Sequence, residues 1–424
     1  METIYIAFLG FGTVASGTYQ VLKQQEEKIA TSMACQVQVK KALLRNRGNY
    51  VKTAHHDFEL VDSLDAILTD ESITIVVEAM GGVDFAKDCI EAALKAGKHV
   101  VTANKILMAQ NGEELTNLAQ SQGLALYYEA AVAGGIPILE SLRTSFRAEG
   151  LHSLSGIING TSNYILSEMT DQGLSFEEAL QAAKDKGFAE TDPTNDIDGL
   201  DAARKLAILC RLAFGMTIPL DKMAIRGIDH VTSEDIKNTS TLGYLIKPLA
   251  TAILDDDGAL SVQVGPSLVP KNHQLATVTG PMNAIYTRGW ASGEVMFYGP
   301  GTGALPTGNM VVADILKIVD ALVHQEHIPA LSRYHVPLNL SAADREIFAN
   351  FYHFKLLDRD KGLFKLTALF EKYGASLNQL TPIGRHHVLA ISQAMTWQDS
   401  KELIAEIENI DGISIDRIYP ILGQ

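Results

Sequence analysis

The chain of 424 residues has room for two or three domains, and its 46% hydrophobic content is enough to build real cores, which excludes wholesale disorder. Its 35 Lys and Arg against 50 Asp and Glu leave a net charge of −15, which opposes a nucleic-acid backbone and removes nucleic acid from the expected partners. Three cysteines, Cys35, Cys89 and Cys210, show no metal or redox spacing and suit a reducing compartment.

The opening METIYIAFLG carries neither the basic region nor the cleavage site of a secretory signal. Residues 295–313 form the longest uncharged stretch but contain four glycines and two prolines, so they read as loops rather than a spanning helix. A soluble, cytoplasmic protein with no membrane partner is expected.

In chain order, an apolar run at 4–9 feeds GFGTVASG, after which Val14, Val21 and Leu22 recur at helical spacing. Apolar segments at 37–44 and 73–79 resemble buried strands of a parallel sheet; the first ends in Arg45, Asn46, Arg47 and Gly48. Asp84 offers an N-cap for a helix stopped by Gly97, and the strand at 99–102 delivers Asn104 and Lys105 to its end. Strands alternating with helices imply a doubly wound, Rossmann-like α/β domain over 1–130, completed by about 300–330.

From residue 131 the pattern changes, and a second, α+β domain to 299 is expected. It holds a strand at 151–158, a helix with a Ser175–Glu178 capping box closed by Gly187, and a helix capped by Asp198 that is apolar nearly all round from 206 to 214. Residues 331–350 read as a connection. Residues 351–424 then repeat the order βαββαβ, with a turn at 358–362 and a helix capped near Asp399, which predicts a small ferredoxin-like domain.

Gly10, Gly12 and Ala15 fill the G-x-G-x-x-G/A pattern directly after a strand and at the opening of a helix, where backbone N–H groups can approach a pyrophosphate. An acidic residue after the second strand would grip the ribose hydroxyls of NAD; Arg45 and Arg47 stand there instead, which favours NADP(H) with NAD(H) as the alternative. A solvated loop is the bland alternative for these arginines.

Lys105 falls in the crevice where a nicotinamide would lie. GFAETDPTNDIDGLDAARK concentrates Glu190, Asp192, Asp196, Asp198 and Asp201 ahead of Lys205, as suits a cationic ligand group. Asp201 and Lys205 are four apart with the acid first, which is either an ordinary surface pair or a site in which a partly desolvated lysine, or one beside a second ammonium, exchanges a proton near working pH. The adjacent pairs His55–His56 and His386–His387 cannot face one ligand from a regular strand or helix, so no histidine metal site is expected.

Together VVEAMGG, AGKHVVTANK, YYEAAVAGGIPIL, GIINGTSNYIL and GFAETDPTNDIDGLDAARK resemble homoserine dehydrogenases over about residues 1–320. The resemblance implies NADP(H)- or NAD(H)-dependent interconversion of L-homoserine and L-aspartate 4-semialdehyde, on the route to threonine and methionine, in a homodimer, with 131–299 as the catalytic and dimerisation domain. It further implies Lys205 as proton donor, Lys105 beside cofactor and substrate, and Glu190, Asp201, Asp196 and Thr161 around the substrate. Phe11, Thr13 and Val14 match the dinucleotide loop, Gly187 and Gly303 match cofactor-contacting glycines, and Glu129, Val132, Gly134 and Ile136 match a backbone-carbonyl sodium site.

GPGTGALPTGN departs from the family pattern at Thr302, Gly308 and Asn309. Residues 351–424 resemble an ACT domain, which implies an amino-acid effector such as threonine, although the DRDKG turn departs from the common form. Two other readings are an aspartate-semialdehyde dehydrogenase, which needs a nucleophilic cysteine, and a catalytically silent sensor of a dinucleotide and an amino acid.

Overall fold

The computed structural model describes residues 2–44, 56–326, 335–342 and 347–423. Arg45, Asn46, Arg47, Gly48 and His55, and parts of the 331–350 connection, lie outside the described residues.

The first sheet has six parallel strands in the spatial order Glu59–Val61, Cys35–Leu43, Glu2–Leu9, Ile73–Glu78, His99–Thr102 and Leu126–Tyr127. Its members are apolar on both faces, as Ile6, Ala7, Phe8 and Leu9 illustrate by being fully buried, because helices cover the sheet on each side. The strand order reverses between Glu2–Leu9 and Ile73–Glu78, so a crevice opens beyond their carboxyl ends, the Rossmann-like arrangement.

A late helix, Ala304–Val323, returns to this sheet and buries Val311, Ile315, Ile318 and Val319. Its approach depends on two glycines: a Cβ on Gly17 would sit 1.9 Å from the Ala304 carbonyl oxygen, and one on Gly308 would sit 2.5 Å from the Gly17 backbone. The stretch 295–313 is thus not loop. It is the end of the strand Gly293–Pro300 followed by that helix, with Pro306 in the first turn, where its missing N–H costs nothing, and Gly308 at the crossing. Among the described residues, no helix is long and apolar enough to cross a membrane.

A second six-stranded sheet, mostly antiparallel, is ordered Gly293–Pro300, Met282–Gly289, Leu151–Ile157, Tyr244–Leu254, Leu260–Pro270 and Ala224–Ile225. The helices Gly160–Gln172 and Leu200–Ala213 pack on it; the latter buries Leu206, Ala207, Ile208, Leu209, Cys210 and Leu212, as its apolar circumference requires. The Ser175–Glu178 capping box forms, but Asp198 does not cap Leu200–Ala213. Gly199, at φ 81°, makes the turn into that helix one residue later. Asp84 likewise sits inside the helix Asp84–Lys95 as a first-turn acid rather than as its cap.

The C-terminal four-stranded antiparallel sheet has the order Leu377–Ile383, His387–Ser392, Asn350–Leu356, Ile413–Pro420, with two helices on one face, which is ferredoxin-like. Here too one helix entry differs from expectation. Asp358 accepts from the Lys361 N–H and starts the helix Arg359–Lys372, so 358–362 is a helix entry rather than a free turn. Trp397–Glu408 is capped near Asp399, as expected: Thr396 is the cap, and its hydroxyl donates to Asp399 three residues on. The other sheet face presses Phe351, Leu389, Ile391 and Tyr419 against Ile228, Val231, Ile236 and Leu268, each full burial contributing about 2 kcal/mol.

Candidate active site

Gly10 has φ 83°, and a Cβ there would lie 2.9 Å from the Met80 side chain, so only glycine lets the chain leave the first strand along this path. Gly12 begins the helix Thr13–Gln24 with no side chain capping its first amides, and it has open space around it. Those amides supply the partial positive charge that an anionic pyrophosphate takes. Phe11 packs edge-on against Phe8 and Tyr19 beside the turn, Thr13 is exposed and Val14 half-buried. Ala15 is buried in the core.

Gly303, at φ 120°, opens the returning helix. The carbonyl of the next residue, Ala304, lies against Gly17, which brings Gly303 to the helix that carries the glycine turn.

Across the crevice, hydrogen bonds that the sequence reading did not identify hold Lys105. Glu78 accepts from the Thr102 hydroxyl (2.5 Å) and the Met80 N–H (2.8 Å) at the ends of adjacent parallel strands. Asn104 donates to the Gly82 carbonyl (2.7 Å) and accepts from the Leu107 N–H (3.1 Å), capping Lys105–Ser121 so that Lys105 is its first residue.

From the second sheet, Asn159 follows Leu151–Ile157 and caps Gly160–Gln172 through the Ser162 N–H (2.8 Å). Its amide donates to Asp196 Oδ1 (2.7 Å) and Asp201 Oδ2 (2.8 Å). Asn159 escaped the sequence reading because its partners lie 37 and 42 residues away; the local signal was an Asn between a strand and a helix.

These elements bring both lysines to one carboxylate. Lys205 Nζ lies 2.7 Å from Asp201 Oδ2 and donates to the Ile158 carbonyl at 2.7 Å, while Lys105 Nζ lies 2.5 Å from Asp201 Oδ1. Asp201 and Lys205 are buried, so the surface-pair alternative is overturned; Lys105 is 41% exposed toward the crevice. Among the described residues two acceptors meet the Lys205 ammonium, which carries three protons.

Burial drives the Lys205 pKa down; Asp201 opposes this, Lys105 reinforces it, and the net value is below that of ordinary lysine. For Asp201 burial pushes upward, but the two ammonium groups outweigh it and hold the carboxyl below the usual range. A buried pair of this kind adds little net stability. It does place a buried ammonium of reduced pKa on one oxygen of Asp201 while Lys105, on the crevice side, meets the other.

Around this cluster the Thr161 hydroxyl donates to the Phe188 carbonyl (2.6 Å), anchoring the loop that follows Gly187, whose φ is 75°. Asp196 is half-buried beside Asn159. Glu190 and Asp198 are exposed, and Asp192 is spent on the Thr194 hydroxyl (2.5 Å). Of five acids in the stretch, two therefore converge on the lysine side of the site.

Glu129 caps the turn into Ile138–Arg143, accepting from the Leu139 (2.8 Å) and Glu140 (2.7 Å) N–H groups. Val132 and Ile136 are buried, and Gly134 has φ 48° after Ala133 at 53°. All three cysteines are buried, and burial pushes the Cys210 thiol up, the opposite of what a nucleophile needs.

A Rossmann-like sheet with an uncapped glycine turn, facing a buried lysine and carboxylate, defines a dinucleotide-dependent oxidoreductase. Comparison with known proteins narrows the class. The family profile "Homoserine dehydrogenase" matches residues 137–316, and "Homoserine dehydrogenase, NAD binding domain" matches 10–129. Homoserine dehydrogenase of Bacillus subtilis is 35% identical over 418 residues, 98% of this chain and 96% of the relative. The crystal structure of a homoserine dehydrogenase from Thiobacillus denitrificans superposes with a TM-score of 0.91 at 33% identity, covering 99% of this chain and 98% of that one. A hyperthermophilic archaeal homoserine dehydrogenase mutant in complex with NADPH matches at TM-score 0.63 and 26% identity, covering 74% of this chain and 97% of its own. The chain belongs to the homoserine dehydrogenase family.

Proposed function

We propose that the protein interconverts L-homoserine and L-aspartate 4-semialdehyde, with NADP(H) preferred over NAD(H), in the biosynthesis of threonine and methionine. The observation that carries this reading is the meeting of Lys205 and Lys105 on the two oxygens of the buried Asp201. Bound at the glycine turn, the nicotinamide cofactor supplies or takes the hydride. Gly10, Phe11, Gly12, Thr13 and Val14 would hold its pyrophosphate, Gly187 and Gly303 would contact it, and Arg45 would select the ribose phosphate. The uncapped amides after Gly12 fit such an anion.

Glu190, Asp196 and Asp201 hold the substrate ammonium, and Thr161 positions the loop that carries Glu190. Lys205 gives a proton to the aldehyde oxygen as negative charge develops there, and Lys105 steadies the same charge. In oxidation Lys205 must be neutral to accept the alcohol proton, and its burial favours that form. The carbonyls of Glu129, Val132, Gly134 and Ile136 would hold a sodium ion, in a loop that Ala133 and Gly134 bend through consecutive left-handed conformations.

Residues 131–299 also carry the homodimer contact, and 351–424 form an ACT module that binds threonine as an inhibitor. The test is homoserine-dependent reduction of NADP and NAD, assayed separately with and without threonine, in wild type, Lys205→Ala and Lys105→Ala. Loss of turnover in both variants with retained cofactor binding supports the assignment. Wild-type rates in either variant remove that lysine from the chemistry.

A further inference from the structure

The C-terminal sheet has two faces with different tasks. Tyr352, Phe354, Leu356, Val388 and Ala390 point into the module's own core, whereas Phe351, Leu389 and Tyr419 pack on the central region. By the two-residue period of a strand, His353 and His387 belong to the second face.

Along Ile413–Pro420 that alternation breaks. His353 pairs with Arg417 and Phe354 with Ile415, which leaves Asp416 as an extra residue, while Ile415 and Ile418 both stay with the module's own core. The bulge therefore turns two consecutive residues, Asp416 and Arg417, to the second face. Arg417 uses this to hold Asp235 of the central region, Nε to Oδ2 at 3.1 Å. Asp416 meets the histidines instead.

His387 Nδ1 lies 3.1 Å from His353 Nε2 and 3.5 Å from Asp416 Oδ2, and one donor atom from each of the three residues lies within 4.8 Å of the others. Donors about 2.1 Å from a single ion stand roughly 3.0–3.4 Å apart at octahedral or tetrahedral angles, close to these separations. His353 is buried, its Nε2 turned to His387. His387 and Asp416 are 36% and 35% exposed, so an ion has a way in.

We propose that His353 Nε2, His387 Nδ1 and the Asp416 carboxylate bind one divalent transition-metal ion of the zinc type, with its remaining positions open to water. Two imidazoles and one carboxylate select such an ion over magnesium or calcium, which take oxygen donors. The ion ties three strands together one residue from the Arg417–Asp235 contact, so its occupancy stiffens the seat of the C-terminal module on the central region.

The test uses full-length protein stripped with chelator and titrated with Zn²⁺ alone by calorimetry and with Co²⁺ by visible absorption. One equivalent per chain that excess Mg²⁺ does not displace is expected, together with a rise in thermal midpoint on adding zinc. His387→Gln and Asp416→Asn, at half-exposed positions that spare the core, lose that equivalent and that rise while keeping wild-type circular dichroism and basal dehydrogenase turnover. Failure of the wild type to take up zinc, or uptake unchanged in both variants, overturns the proposal.

Discussion

Asp201 and Asp235 are buried to nearly the same depth, 2% and 3% exposed, and each is gripped by a cation, yet the two sites can do different things. Asp201 faces two lysines. Asp235 accepts from the Arg417 Nε (3.1 Å) and the Tyr419 hydroxyl (3.2 Å), and closes a capping box with Thr232. A buried ammonium sheds its proton when desolvation lowers its pKa, whereas a guanidinium stays charged at any working pH. The first arrangement can move a proton; the second can only hold two parts of the chain together. Carboxylate burial does not tell a reaction centre from a clamp, but the identity of the cation does.

The largest effect that probes this difference is removal of Lys205. Lys205→Ala is expected to lower kcat by about 10²–10⁴-fold, the usual contribution of a positioned acid or base, with cofactor affinity nearly unchanged. Stability should fall too, by about 3 kcal/mol, since the truncation leaves a cavity and takes a donor from the Ile158 carbonyl, while Lys105 and Asn159 still partner Asp201. Steady-state kinetics with a cofactor titration checks both points, and a loss confined to KM would move Lys205 from chemistry to binding.

Next in size is the pH dependence of the wild type. Because Lys205 lies below the ordinary 10.5, its neutral form is populated earlier than in a free lysine. Homoserine oxidation should therefore rise about tenfold per pH unit and level off below that value, while aldehyde reduction falls through the same point. The stability signs are opposite for the two partners. Lys205 binds its proton less tightly folded than unfolded, so its contribution to stability increases as pH rises toward 10.5. Asp201 stabilises above 3.8 and loses this as pH falls through its lower folded value. A rate flat from about pH 6 to 10 would break the distinction drawn between the two aspartates.

Asp235→Ala tests the clamp. It strands a partly buried guanidinium and opens the capping box with Thr232, at a cost of about 3 kcal/mol, the low end for a broken buried pair because Arg417 is 33% exposed. Denaturant unfolding should show the C-terminal sheet released first, while turnover of the folded enzyme at saturating substrate persists. Equal loss of turnover would make Asp235 part of the reaction centre after all.

How legible these features were in the sequence follows the range of the interactions. Gly10 and Gly12 could be read because a backbone constraint is local, and the Ser175–Glu178 box because its two halves are three residues apart. Asp201 and Lys205 could be placed on one helical face, but their burial could not, since it comes from Ile158 and Asn159 on another element. Asp84, Asp198 and Asp358 show the limit of reading acids by type: one sits inside its helix, one is displaced by Gly199, and one caps a helix where a turn was expected. His386 and His387 do diverge, as adjacency requires, with His386 meeting the Leu356 carbonyl. The partners of His387 come from two other strands and a bulge, which spacing along the chain cannot reveal.

The smallest effect discriminates most finely. Arg417 reaches in two directions from one planar group, Nε to Asp235 and Nη1 to the Asp416 carbonyl at 2.7 Å. A lysine at this position can satisfy the carboxylate or the carbonyl but lacks the fork that meets both, so Arg417→Lys is expected to cost about 1 kcal/mol, one net hydrogen bond. The readout is a shift in urea midpoint at constant m, which keeps the change in the native contact rather than in the unfolded chain. Placed in the Asp235→Ala background the same substitution should cost less, because the carboxylate half of the fork is already gone. Undiminished cost in that background would mean that Arg417 serves the Asp416 bulge alone, and Asp235 would then owe its burial to Tyr419 and its own capping box.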